Sequence, residues 1–234
     1  MEIRTKVFFI NLIILFTIIF QINLLAENKE NSTSYFTTDT TSNYFLFSYV
    51  ESLTADDYYI LLDSIKLGLS DDFFTLRMAY THTEKYSPYS TRLSNDRDLI
   101  QNLINENKLS EALEQANQTL DYSYVDAYIH YLCHVIYEQM GNKEKADFHF
   151  SLVEKVFESI IFSGDGQTPQ TAIIVISVNE EYALLSWFGL KMQSQSLIIQ
   201  DGYNFDLLTV RDDEANEEYE MYFNVTIPMN SIMK

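Results

Sequence analysis

A histidine pair with a neighbouring cysteine is the segment whose residue types come closest to a metal site. His130 and His134 are four residues apart in a predicted helix, with Cys133 between them. Zinc sites use this spacing, but a zinc-protease motif needs a glutamate where Tyr131 stands. Because His130 and Cys133 also fall at inward, apolar positions of that helix, where cysteine packs as a small hydrophobe, we predict core packing and no metal site.

Two further features can bind a ligand. Gly164, Asp165 and Gly166 follow a predicted helix, so backbone N–H groups there can face an anion, or Asp165 a cation; a glycine turn that redirects the chain is the competing interpretation. Trp187 can stack on a sugar or pack in the core. These four are the candidate binding residues. The chain contains no nucleophile elbow, phosphate loop or dinucleotide motif, and we predict no catalytic residue and no cofactor.

Composition excludes several classes of protein. The 234 residues are 47% hydrophobic, which predicts a folded chain. Fifteen basic against 34 acidic residues give a formal net charge of -19. A nucleic-acid binder needs positive charge to displace counterions from phosphate, so we expect no nucleic-acid partner. A single cysteine rules out an intramolecular disulfide.

The N-terminus has the pattern of a signal peptide. Arg4 and Lys6 precede the apolar run Val7–Ala26. We predict cleavage after Ala26 and export to the periplasm or outside the cell, with no stable membrane insertion afterwards. The alternative is a retained N-terminal anchor, since about twenty apolar residues can span a bilayer.

Two segments are predicted to follow. Residues 27–42 are rich in Ser, Thr and Asn without periodicity, which predicts a disordered linker. Residues 43–234 are predicted to form a single α+β domain, with a helical part at 54–162 and a β-rich part at 163–228. Thr54 is a candidate cap of the first helix.

The helical part contains a repeat of 34 residues, the period of tetratricopeptide helix pairs. Ala112 and Ala146 are the small residues at this separation. Tyr137, Gly141 and Phe150 lie at offsets from Ala146 that resemble the repeat. The first unit has Leu103, Asn107 and Ala116 at the matching places. Two units are fewer than a free-standing array needs, so other elements must cover their open faces.

After Phe162 the spacing of the apolar residues changes from a helical to a strand-like period. The run 173–178 predicts a buried strand, and alternation in 203–210 and 219–225 predicts half-buried antiparallel strands. Residues 196–200 are a further predicted strand. The segment 179–189 is predicted to be a short helix, with a strand as the alternative. We therefore predict an α+β fold of tetratricopeptide-like helical hairpins followed by a small antiparallel sheet, with one shared core.

A set of motifs in order resembles one exported bacterial family. The motifs, listed in chain order, are Tyr86–Tyr89, Ser163–Gly166, Thr168–Ala172, Glu181–Tyr182, Gly189–Leu190, Ser194–Leu197 and Tyr222–Pro228. The chain is similar over about residues 44–228 to the family catalogued as domain of unknown function family 4919. The resemblance implies an exported protein with a helical part and a sheet, and it implies no activity or ligand.

Two functional hypotheses remain open. The favoured one is a non-catalytic, exported protein-interaction module of the bacterial cell envelope, whose partner is another envelope protein or a peptide. The alternative is an envelope enzyme or a protein that binds a small ligand or glycan. An interaction module should show an aromatic or apolar groove, whereas an enzyme should show a pocket with converging polar groups and perturbed acids.

Overall fold

The computed structural model describes residues 42–231, which fold as α+β, as predicted. The predicted signal segment 1–26 and the predicted linker up to residue 41 lie outside these residues, while Ser42 is the first residue of a helix. Among residues 42–231, seven helices precede the sheet: α1 (Ser42–Ser52), α2 (Ala55–Lys66), α3 (Phe73–Tyr80), α4 (Thr91–Asn105), α5 (Leu109–Leu120), α6 (Ala127–Gln139) and α7 (Lys143–Ile161). A 3-10 turn at Pro169–Thr171 leads to the remaining elements: β1 (Ile173–Ile174), α8 (Val178–Phe188), β2 (Lys191–Gln200), β3 (Tyr203–Asp212), β4 (Glu217–Asn224) and α9 (Thr226–Ser231).

Polar side chains set the starts of several helices. Thr54 caps α2, and its backbone N–H donates to Asp57 Oδ2 at 2.8 Å, which completes a capping box. Asp72 accepts from the Thr75 N–H at the start of α3, at 2.9 Å. Each cap satisfies backbone donors that the first turn leaves without partners. Local sequence therefore decides where these helices begin.

Two consecutive helix pairs share the predicted period. The turn between α4 and α5 contains Asn107 at φ 59°, and the turn between α6 and α7 contains Gly141 at φ 74°, 34 residues later. Asparagine is one of the few residues other than glycine that adopts this left-handed conformation readily. Ala112 and Ala146 follow the two turns, and both side chains are fully buried.

The sheet is mixed, which corrects the prediction of an antiparallel one. Its strand order is β1-β4-β3-β2. The pairs β2–β3 and β3–β4 are antiparallel, but β1 runs parallel to β4, with Ile173 opposite Phe223. The long connection from β1 through α8, β2 and β3 brings β4 to the side of β1. Fifty residues separate Ile173 from Phe223, so no local pattern indicates the pairing.

Several boundaries differ from the prediction. β1 ends at Ile174 because the chain leaves the sheet to enter α8, which is the helix predicted at 179–189 and not a strand. Gly189 ends α8 in the left-handed conformation, at φ 72°. β2 begins at Lys191, five residues before the predicted strand. The hairpin ladder reaches Asp212 opposite Glu217, so the turn is shorter than predicted.

One cluster of buried side chains contains residues of both parts. It joins Leu76 and Ile160 of the helices to Ile174, Leu208 and Phe223 of the strands. The helices and the sheet therefore share a core, and neither part buries its apolar face alone.

Within residues 42–231, no helix has both the length and the apolar character that crossing a bilayer requires.

Candidate functional site

A cavity of about 700 Å³ opens between α4, α6 and α7 on one side and α8 on the other. Its floor is formed by the first helix of each 34-residue pair. The floor residues come in three pairs that are each 34 positions apart: Leu93 and Ala127, Ser94 and Tyr128, Arg97 and Tyr131. Residues that are 34 positions apart thus line the same cavity.

Aromatic rings line the cavity on two sides. On α6, the rings of Tyr128 and Tyr131 stack with centroids 6.2 Å apart. Trp187 of α8 stacks on Phe157 of α7, with ring centroids 4.5 Å apart, where these two helices meet beside the cavity. Trp187, one of the four candidate binding residues, is therefore placed in the cavity. Such surfaces give a large contact area at low entropic cost.

An ion pair crosses from α4 to the start of α6. The Nη2 group of Arg97 contacts Asp126 Oδ2, and the Arg97 guanidinium carbon lies 5.6 Å from the centroid of the Tyr128 ring. Asp126 also caps α6 by accepting from the Ile129 N–H at 3.0 Å. The Asp126 carboxylate therefore both caps α6 and pairs with Arg97. These two contacts fix the position of α4 relative to the start of α6 at the floor of the cavity.

A second ion pair fixes α8 above the floor. The fully buried Arg77 of α3 donates from Nε and Nη2 to the two oxygens of Glu180, at 3.0 and 2.7 Å. Its remaining donors reach Ser159 Oγ at 3.3 Å and the Ile174 carbonyl at 3.4 Å. A bidentate arginine–carboxylate pair of this kind is strong and directional. Arg77 thereby ties α7, β1 and α8 together.

The chain just before α8 is held by two more contacts. The Ile176 N–H donates to Glu180 Oε2 at 2.9 Å, and the Tyr86 hydroxyl donates to the Ile176 carbonyl at 2.7 Å. Tyr86 and Glu180 both line the cavity. The wall opposite the floor is therefore anchored through hydrogen bonds rather than apolar contact alone.

A pair of carboxyl groups lies between α8 and the sheet. Glu181 is fully buried, and its oxygens have no hydrogen-bond donor among the described residues. Burial, together with the neighbouring Asp206 and Glu180 carboxylates, raises the pKa of Glu181 to about 9. At neutral pH, Glu181 is therefore a protonated carboxylic acid. Its O–H can donate a hydrogen bond to the Asp206 carboxylate. Asp206 also accepts from Gln195 Nε2 at 2.7 Å.

The histidines near Cys133 are held in hydrogen bonds within the helical part. His130 Nε2 lies 2.8 Å from the Tyr124 carbonyl and must donate to it, so His130 Nδ1 accepts from His149 Nδ1 at 3.1 Å. Burial lowers the pKa of His130 to about 3 and that of His149 to about 4, so both are neutral. His134 Nδ1 lies 3.0 Å from the Ala146 carbonyl. No group of three metal-binding side chains occurs within residues 42–231.

The glycine turn lies apart from the cavity. A side chain at Gly164 would come within 2.4 Å of the Thr171 carbonyl oxygen, so only glycine fits there. Gly166, at φ 70°, donates its N–H to the Thr171 carbonyl and accepts from the Tyr222 N–H, both at 2.8 Å. Asp165 accepts from the Gln167 N–H at 2.9 Å. These contacts join the turn to the 3-10 turn and β4, and the backbone groups of Gly166 already have partners.

Sequence reasoning missed the two ion pairs and the carboxyl pair. Arg77 had a visible signal, because it stands in the apolar stretch Leu76–Tyr80 and a cation there needs a buried partner. Its partner Glu180 is 103 residues away and had no such signal. Glu181 follows Glu180, and the two together have the pattern of an acidic first turn of a helix, which gives no indication that Glu181 is buried.

A family model described as a domain of unknown function (DUF4919) matches residues 38–234. This match confirms the family to which the sequence motifs pointed. Neither the curated proteins nor the solved structures gave a match.

Proposed function

The chain belongs to the DUF4919 family, and we propose that it is a non-catalytic binding module whose cavity holds a short peptide segment of a partner protein. The observation that supports this most is the floor of the cavity. Positions such as Arg97 and Tyr131, 34 residues apart, face one open space as they would in a tetratricopeptide-like array. Grooves of that kind receive extended peptides or helices.

The size and lining of the cavity fit a short segment. About 700 Å³ is within the range of pockets that enclose most of a small ligand. Tyr128 and Tyr131 remain roughly 40% exposed, at 40% and 43%, so a ligand can cover them. The exposed Ser94 hydroxyl donates to the Thr91 carbonyl at 2.9 Å, and its oxygen can accept from a peptide N–H. The alternative, a glycan, would use the same aromatic rings.

The distribution of titratable groups favours binding over catalysis. Glu181 and His130, the carboxyl and imidazole with the largest pKa shifts, do not line the cavity. The charged residues that do line it include Arg97 and Glu180, both engaged in ion pairs. A general acid or base needs to reach the reacting atoms.

The proposal includes export, which rests on the sequence of residues 1–26. We expect the mature protein to begin at Glu27. Intact-mass measurement of the protein from its native cells, fractionated into cytoplasm and envelope, tests this. A cytoplasmic, full-length product would contradict export. A membrane-bound, full-length product would support the anchor.

Trp187 provides the test of peptide binding, because it is the single tryptophan and lines the cavity. Peptides selected from a displayed random heptapeptide library should change its fluorescence. Tyr131→Ala should weaken binding, and Tyr219→Ala, an equally exposed tyrosine (40%) outside the cavity, should not. Recovery of no peptide, or of peptides that bind without affecting Trp187, would contradict the proposal. Saturable binding of envelope oligosaccharides instead would favour the glycan alternative.

A further inference from the structure

The charges that line the cavity do not balance. Arg97 is neutralised by Asp126, and Glu180 by Arg77. Asp98 also lines the cavity and is exposed, and it forms no ion pair within the described part of the chain. The cavity therefore carries one uncompensated negative charge, in a chain whose formal net charge is -19.

The position of Asp98 relates this charge to the tyrosine rings. Asp98 lies next to Arg97 and three residues before Gln101 on α4, and it lines the cavity with Arg97. Arg97 and Gln101 both contact Tyr128: the guanidinium carbon is 5.6 Å from its ring centroid, and Gln101 Oε1 is 3.4 Å from its hydroxyl. Asp98 thus lines the same cavity as the stacked pair of Tyr128 and Tyr131.

We propose that the cavity selects peptides that carry a lysine or arginine, whose side chain lies across Tyr128 and Tyr131 with its charge towards Asp98. This inference rests on the proposed function. The apolar stem of such a side chain packs on an aromatic ring while its charged end stays at the solvent boundary. The ring faces attract the cation, and the uncompensated carboxylate adds to that attraction. An acidic segment meets repulsion from Asp98 and from the chain as a whole.

The experiment compares peptides that differ in one side chain. Heptapeptides selected from the random library are sequenced, and each basic residue is then replaced by methionine, which keeps an unbranched chain without the charge. Titrations follow the fluorescence of Trp187 at low and at high ionic strength. We expect enrichment of lysine and arginine, and a loss of roughly three- to tenfold in affinity on replacement by methionine. The difference should shrink at high salt.

Asp98→Asn identifies the carboxylate responsible. It should remove most of the preference for the basic peptide over its methionine form, whereas Asp63→Asn, a change to an exposed aspartate outside the cavity, should retain it. Selected peptides without basic residues, or a preference that Asp98→Asn leaves intact, would overturn this inference and leave peptide binding standing. If no selected peptide changes the fluorescence of Trp187, both the preference for basic peptides and peptide binding itself would be overturned.

Discussion

Arg77 and Glu180 form a bidentate ion pair across 103 residues of sequence, and the arginine is fully buried. The guanidinium comes from α3, and the carboxylate from the first turn of α8. Transfer of such a charge out of water is costly, and the structure offsets the cost with hydrogen bonds to all three guanidinium nitrogens. The pair therefore decides where α8, and with it one wall of the cavity, is placed.

Loss of one member of this pair should be strongly destabilising. Arg77→Met leaves Glu180, which is only 13% exposed, without its partner. We expect the free energy of unfolding to fall by about 3–5 kcal/mol in urea denaturation. The double variant Arg77→Met, Glu180→Gln should recover part of this, because no charge is then left unpaired. As a control, Lys143→Met breaks the exposed pair with Asp147 and should change stability by less than about 0.5 kcal/mol.

Glu181 should make the protein less stable as pH rises. Its pKa is about 9 in the folded protein and near the ordinary value of 4.5 in the unfolded chain. Between these values the folded state holds one proton more, so the free energy of unfolding falls as pH increases, by on the order of 1 kcal/mol per pH unit. Glu181→Gln should flatten this slope in denaturation series from pH 5 to 9. Glu84→Gln, at an exposed site, should not.

The His130–His149 pair should make the protein less stable as pH falls, which is opposite to the effect of Glu181. The pKa values of about 3 and 4 lie below the ordinary value of 6.5, so the unfolded chain takes up protons first as pH falls below 6.5. Stability should therefore decrease between pH 6.5 and 4. NMR titration should find the His130 imidazole neutral at pH 5. Titration of its ring near pH 6.5 in the folded protein would contradict the buried arrangement.

Ala112 and Ala146 should tolerate no large side chain. Both are fully buried after the turn of a helix pair. Ala112→Phe and Ala146→Phe each force a ring into a packed space, with an expected cost of about 1–3 kcal/mol or more. Asn117→Phe, at an exposed position of α5, should cost less than about 0.5 kcal/mol. Equal effects of Ala112→Phe and Asn117→Phe in denaturation would show that the period has no structural meaning at this site.

The features that could be predicted from the sequence are those that neighbouring residues determine. Thr54 begins a helix and Gly189 ends one because their effects act within one turn of backbone. The alternation in 203–210 and 219–225 indicated the antiparallel hairpin for the same reason. The 34-residue period indicated the two helix pairs even though Asn107 replaces the glycine of the second turn.

The features that were missed depend on pairings distant in sequence. The parallel pairing of β1 with β4 joins Ile173 to Phe223, and the residues that bring the two strands together lie in the long segment between them. α1 was missed since its aromatic run has no helical periodicity. In the site, Trp187 could be singled out by its type, whereas the cavity around it is formed by α4, α6 and α7. The residue type indicates that a side chain can contact a ligand. Only the tertiary structure shows which other side chains line the same cavity.

Glu180 and Glu181 are consecutive residues of α8, yet one is bonded to Arg77 in the helical part and the other faces Asp206 in the sheet. A rotation of α8 about its axis would have to break the first contact or strand the second carboxyl in apolar surroundings. The helix is therefore locked against twisting from both sides. We therefore expect the wall that α8 forms to be in place before any ligand arrives, so that association needs no rearrangement there and loses little conformational entropy.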